Sequence, residues 1–178
     1  MKTVKNTKLP FIASFLVMLQ TAPVLANDVI SLGAFNAQPK DNAVEYSTNG
    51  AGSLQVPPTK HGNFNIPLIL PQGAIITRVT MEAHDDSGGN FGGYIKASLL
   101  EQRFNSFRVI ADFDTGISDA PGDIRIAVDN IDHPVDNAEY SYGFGIDINN
   151  VTGAQWGDEM FYKFIVEYEQ TQLRVVKP

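Results

Sequence analysis

Apolar and polar residues alternate one for one along several stretches of this chain. That is the pattern of half-buried strands, in which successive side chains leave on opposite faces. The clearest case covers 138–149, where Tyr140, Tyr142, Phe144, Ile146 and Ile148 face one way and Glu139, Ser141, Gly143, Gly145 and Asp147 the other. Ile124, Ile126 and Val128 alternate with Asp123, Arg125, Ala127 and Asp129, and Val79, Met81 and Ala83 with Arg78, Thr80, Glu82 and His84. Ile95, Ala97 and Leu99 stand against Lys96, Ser98 and Leu100 in a less regular set. The run 160–168 is apolar on both faces, with Tyr162, Phe164, Val166 and Tyr168 as the expected core residues. Stretches 66–70 and 107–113 add two strands, and 44–47 and 54–56 are shorter candidates.

Between these runs stand Pro57-Pro58, Pro71-Gln72-Gly73, Ser87-Gly88-Gly89-Asn90, Ala120-Pro121-Gly122-Asp123 and Thr152-Gly153. Glycine supplies positive φ and proline withholds a ladder donor, so such clusters end strands. No window of a dozen residues carries a 3.6-residue period with caps, and no repeat of solenoid length is present. The pattern predicts an all-β fold, an antiparallel β-sandwich of jelly-roll-like type with about eight strands. Phe144 and Ile146 are expected among the least exposed side chains. An eight-stranded outer-membrane barrel would have the same size. Uneven strand lengths, prolines beside several strands and an ending in Val175-Val176-Lys177-Pro178 argue against it.

The start of the chain has a different character. Lys2, Lys5 and Lys8 precede an apolar run from Phe11 to Leu19, followed by Thr21, Ala22, Pro23, Val24, Leu25 and Ala26. A basic start, an apolar centre and a small-residue cut site make a secretory signal peptide, and the mature chain is expected to begin at Asn27. The apolar run is shorter than the roughly 18 to 20 residues of a spanning helix, so no membrane span is expected after processing. The expected organisation is signal peptide 1–26, an arm or first strand at 27–42, a sandwich domain at 43–170 and a tail at 171–178. Removing 26 of the 178 residues leaves 152, enough for one domain with a real core. All 20 acids remain with 10 of the 13 bases, so the net charge moves from −7 to −10. An acidic chain without a basic stripe argues against nucleic acid as a partner.

The chain has no cysteine. It therefore has no disulfide framework, no thiol nucleophile and no lipid-bearing cysteine after the leader. The expected location is secreted or periplasmic.

Two passages resemble a loose group of small secreted bacterial β-sandwich proteins of uncharacterised function. One is Ile66-Pro67-Leu68-Ile69-Leu70-Pro71-Gln72-Gly73-Ala74-Ile75-Ile76-Thr77; the other is Val135-Asp136-Asn137-Ala138-Glu139-Tyr140-Ser141-Tyr142. The resemblance covers about residues 43–170 and implies the sandwich fold without bringing a catalytic residue. Pro71 and Gly73 suit a turn between strands, and Asp136 and Asn137 suit a turn in which a side chain bonds the backbone two residues on.

Candidate chemistry is sparse. His61, His84 and His133 have no metal-ligand spacing, and there is neither a Gly-x-Ser-x-Gly elbow nor a phosphate loop. Acids concentrate between 111 and 139, where Asp112, Asp114, Asp119, Asp123, Asp129, Asp132, Asp136 and Glu139 face Arg125 alone. Hard oxygen ligands in loops suit calcium. Yet in Asp112-Phe113-Asp114-Thr115-Gly116 the glycine comes one residue early and no glutamate closes the loop. These acids therefore read as turn formers and solvated strand ends, and no residue is assigned to a metal, a cofactor or catalysis. Trp156, in Gly153-Ala154-Gln155-Trp156-Gly157, either offers a stacking face for a sugar ring or folds onto the core.

The expected role is non-catalytic binding or structural association, with carbohydrate or another extracytoplasmic protein as partner. The alternative is a small carbohydrate-active enzyme that uses a carboxylate pair.

Overall fold

A computed structural model describes residues 24–49, 52–86, 93–117, 121–150 and 158–172. The described residues form eleven strands: β1 Val24–Gly33, β2 Gln38–Pro39, β3 Ser47–Thr48, β4 Leu54–Gln55, β5 His61–Leu68, β6 Ile75–Asp85, β7 Tyr94–Arg103, β8 Ser106–Asp114, β9 Gly122–Pro134, β10 Ser141–Asn149 and β11 Glu159–Gln172. Two single turns of 3₁₀ helix, Ala34–Asn36 and Thr115–Ile117, interrupt them. No helix among the described residues is long and apolar enough to cross a membrane.

The strands build two antiparallel sheets packed face to face. One runs β3-β4-β11-β6-β9, with β1 on the same side of β11 as β4; the other runs β2-β5-β10-β7-β8. From β5 onward the chain crosses repeatedly between sheets, the jelly-roll habit that the strand pattern predicts. Both β-sheets end in open edge strands, so the fold is a sandwich and not a closed barrel.

The inner faces carry the expected sets. Phe64 and Ile66 of β5, Ile95 and Leu99 of β7, and Phe144, Ile146 and Ile148 of β10 meet Val79, Met81, Phe161, Phe164 and Val166 from the opposite sheet, all of them buried. Ile124, Ile126 and Val128 face inward but are only half-buried, because β9 is an edge strand.

Several expectations need correcting. Of the two readings of 27–42, an arm or a first strand, the strand is present: β1 begins three residues earlier at Val24 and pairs with β11 over ten residues, and the short β2 lies in the same stretch. β5 begins at His61, five residues before the apolar run, and stops at Leu68, leaving Ile69 exposed in the following turn. β10 begins at Ser141 rather than at 138, because 137–139 form a turn. In β11 a bulge between Phe161 and Lys163 turns Tyr162 outward and lets Phe161 and Phe164 both point inward. One extra residue reverses the facing of everything beyond it. A similar irregularity between Leu99 and Leu100, opposite Ala111 and Val109, leaves Phe107 and Val109 on the outer face of β8.

The two passages that carry the resemblance lie against each other. Pro71-Gln72-Gly73-Ala74 is a β-turn with Gly73 at φ +75°, where glycine avoids the Cβ clash. The Gly73 amide donates to the Val135 carbonyl (2.9 Å), the Val135 amide to Ala74 (2.7 Å), and the Asn137 side chain to Leu70 (2.8 Å). Asp136 makes the expected local bond, accepting from the Ala138 amide at 3.1 Å, whereas Asn137 reaches across instead.

Candidate functional site

The outer face of the β2-β5-β10-β7-β8 sheet holds a trough. Its floor is the outward side of β10, where alternation places Gly143 and Gly145 and so removes two side chains from the centre of the sheet. Register across the five strands sets Gln38, Asn65, Gly145, Ser98 and Asp112 in one row. The next row holds Pro67, Gly143, Leu100 and Val109. Strands lie about 4.8 Å apart, so a five-strand row spans roughly 19 Å.

Four depressions make up the trough and share their lining. One of about 330 Å³ lies over Asn65, Gln102, Ser141 and Gly143, and another of about 330 Å³ over Lys96, Ser98, Gly145 and Asp147. A third, of about 310 Å³, lies between Lys40, Leu100 and Phe107, and a fourth, of about 560 Å³, between Lys40, Lys60 and His61. The walls differ in chemistry. Phe107 stands 70% exposed on the β8 side, with Phe104 at the tip of the β7–β8 hairpin 95% exposed. Amide and ammonium groups line the β2 and β5 side, and the hydroxyls of Ser98 and Ser141 lie on β7 and β10.

A second polar set sits between the sheets. Glu101 (β7) and His133 (β9) are buried, and Arg108 (β8) reaches both. Arg108 Nη2 donates to His133 Nδ1 at 3.0 Å and to Glu101 Oε2 at 3.3 Å. A guanidinium has only donors, so His133 Nδ1 must accept and the ring proton sits on Nε2. That nitrogen is 2.8 Å from Glu101 Oε2 but off the line of a good hydrogen bond. Tyr142 donates to Glu101 at 3.5 Å and accepts from the Asp136 amide at 3.0 Å. Burial pushes the Tyr142 phenol up, with the Glu101 and Asp136 charges adding to it. Neither Glu101 nor His133 lines a depression of the trough, so this set ties β9 to the facing sheet.

The histidines and acids marked in the sequence are scattered rather than gathered. His61 Nε2 pairs with Asp147 Oδ1 at 2.6 Å beside the trough. His84 lies on the opposite sheet between Asp123 (2.8 Å from Nδ1) and Asp86 (3.1 Å from Nε2). Burial alone would lower the His84 pKa, but the bonds to Asp123 and Asp86 outweigh it and raise it. Tyr162 donates to the same Asp123 at 3.3 Å; burial and then the Asp123 charge push its phenol up.

Asp112 accepts from Ser98 (2.6 Å), Asp114 from the Gly116 amide (3.0 Å), and Asp129 and Glu139 pair with Arg78 and Arg103 (both 2.9 Å). Asp132 adopts a left-handed conformation, φ +49°. Among the described residues no group of three or more His, Cys, Asp or Glu is placed to hold a metal ion. Asp119 and Trp156 lie outside the described residues.

The trough was not singled out in the sequence. Its one signal there is the pair of glycines on the polar side of 138–149, and nothing local says which strands flank them.

No protein-family model matches the sequence, and no curated protein matches it. Solved structures with a related strand arrangement include the C-terminal CBM6 of LamC, a marine laminarinase from Zobellia galactanivorans: 12% identity, 82% of this chain and 100% of that one, TM-score 0.46. Others are CBM86, a low affinity xylan binding module from Roseburia intestinalis (10% identity, 80% and 96% covered, TM-score 0.47), and the xylan-binding module CBM15 (9%, 83% and 100%, TM-score 0.46). At such identities no site residue is transferred from them.

Proposed function

We propose that the protein is a non-catalytic carbohydrate-binding module, with the glycine-floored trough as its binding face. The trough itself supports this reading. Sugars present hydroxyls on their edges and apolar C–H patches on their faces. A complementary surface needs amides and hydroxyls for the first and an aromatic ring for the second. Asn65, Gln102, Ser98 and Ser141 supply the polar groups, and Phe107 supplies a solvent-facing ring. Phe107 and Val109 line one depression, 70% and 42% exposed, and adjoining exposed apolar side chains of this kind are what a binding surface offers.

The enzymatic alternative needs two carboxylates flanking one glycosidic bond. Among the described residues lining the three depressions over β10 and β7 the carboxylate is Asp147, which lines one of them and faces His61, while Asp41 and Glu45 line the fourth depression beside Lys40 and Lys60.

The test is titration calorimetry of the protein and of Phe107→Ala and Asn65→Ala against a panel of soluble polysaccharides. We expect one polysaccharide class to bind, a roughly tenfold or greater loss for Phe107→Ala, unchanged melting temperature, and no new reducing ends. Failure of every polysaccharide to bind, or full binding by both variants, would overturn the reading.

A further inference from the structure

Taking the trough as a glycan-binding face, we propose further that its ligand is an acidic polysaccharide, whose uronate carboxylates pair with Lys40 and Lys60.

The inference starts from the charges. Six of the eight described cations are paired: Arg78 with Asp129, Lys96 with Asp114, Arg103 with Glu139, Arg108 with Glu101, and Arg125 and Lys163 with Glu82. Lys40 and Lys60 make no ion pair among the described residues. In a chain with 20 acids and 13 bases, carboxylates are abundant enough to pair with every cation. The two left over stand together on the rim of the same 560 Å³ depression.

Both lysines are set in place by their backbones. The Lys40 amide donates to the Asn63 carbonyl at 2.9 Å, which fastens the residue to the edge of β5. Its side chain then runs inward: Nζ lies 3.7 Å from the point where a Cβ on Gly145 would sit. The ammonium therefore stands over the trough floor, at ordinary contact distance from where a Gly145 side chain would begin. Lys60 follows Thr59, which takes φ +64°, and its carbonyl accepts from the Asn150 amide at 2.9 Å.

The chemistry of the anion follows from the neighbours. Among the described residues no arginine lines any of the four depressions, so they offer no bidentate fork suited to phosphate, while a lysine ammonium serves a single carboxylate as a point charge. The amides and hydroxyls beside Lys40 bind sugar hydroxyls. Of the carboxylates near the lysines, Asp41 accepts from the Ala43 amide at 2.8 Å, Asp147 stands 2.6 Å from His61 Nε2, and Glu45 lies on the same rim. Three acids around two lysines suit a polymer with carboxylates spaced one per sugar better than a densely sulfated one.

The experiment compares polygalacturonate, alginate and glucuronoxylan with their carboxyl-reduced counterparts, in which each carboxylate has become a primary alcohol. Binding to the parent protein, Lys40→Gln and Lys60→Gln is measured by calorimetry. We expect at least one acidic polymer to bind roughly tenfold tighter than its reduced form, with Lys40→Gln abolishing that preference while still binding the reduced polymer. Equal affinity for acidic and reduced forms across the panel, or a preference that survives both substitutions, would overturn the proposal and leave glycan binding standing. Binding of none of the six polymers, together with none of the neutral panel, would remove the glycan reading and this proposal with it.

Discussion

Phe144 of β10 and Phe164 of β11 stack face to face across the two sheets, ring centroids 3.8 Å apart and planes 8° apart. Phe161 and Phe113 close around Phe164 at 4.8 and 5.7 Å, so one ring joins a four-aromatic cluster in the middle of the sandwich. Both stacked residues are fully buried. Phe144→Ala and Phe164→Ala should each cost roughly 3 to 5 kcal/mol by denaturant titration. The double variant should fall short of additivity by about 0.5 to 1.5 kcal/mol, the stacking share. Single losses below about 1 kcal/mol would contradict this packing.

Phe144 was visible in the sequence and the stack was not. Strict alternation over 141–149 dictates which side of β10 is apolar, because any other facing would bury Asp147 and expose Phe144. In β11 and β8 the same logic fails at the bulges: Tyr162 was expected in the core and points out, while Phe161 does the reverse. A bulge depends on the partner strand, and partner strands here come from far along the chain, as β5 does for β10. The trough is not legible in the sequence for the same reason. Its glycines lie in one strand, but Asn65, Ser98 and Phe107 arrive from three others.

The two trough glycines should respond differently to a methyl group. A Cβ on Gly143 would meet the Ile66 carbonyl oxygen at 3.0 Å, a backbone atom that cannot move aside cheaply. Gly143→Ala should therefore destabilise by about 1 to 3 kcal/mol. A Cβ on Gly145 meets Leu100 at 3.5 Å and the Lys40 ammonium at 3.7 Å, both ordinary contacts. Gly145→Ala should melt within a degree or so of the parent or slightly above it, since glycine within a strand is entropically unfavourable. The same substitution should weaken polysaccharide binding by filling the floor.

His84 gives the stability a pH dependence of known sign. Its folded-state pKa is raised, so the folded protein holds the proton more tightly than the unfolded chain. The stabilisation is complete below the unfolded value near 6.5 and disappears as pH rises through the folded value. The melting-temperature advantage of the parent over His84→Gln should thus be larger at about pH 5.5 than at about pH 8.5. An advantage that grows with pH would contradict the arrangement with Asp123 and Asp86.

Calcium should find no site in the acidic stretch. Asp112 is held by Ser98, and Asp114 by Lys96 and the Gly116 amide, so neither is poised for a shared ion. Asp112→Asn and Asp114→Asn should leave the response of the melting temperature to calcium unaltered. A calcium-dependent rise of more than about 4 °C that either substitution removes would show the contrary.

The ten-residue register of β1 with β11 constrains the order of events during synthesis. Val24 pairs with Gln172 and Gly33 with Lys163, so the first described strand waits for the last before it has any neighbour. Strand β6 likewise has β11 on one side and lacks that partner until residue 159 has been made. A ribosome-bound chain thus carries β1 without this partner until residues 163–172 have been made. Assembly of this sheet is therefore dominated by contacts distant in sequence, and slow by that measure. For such a chain, the interval before β11 has been made is when chaperones have most to hold.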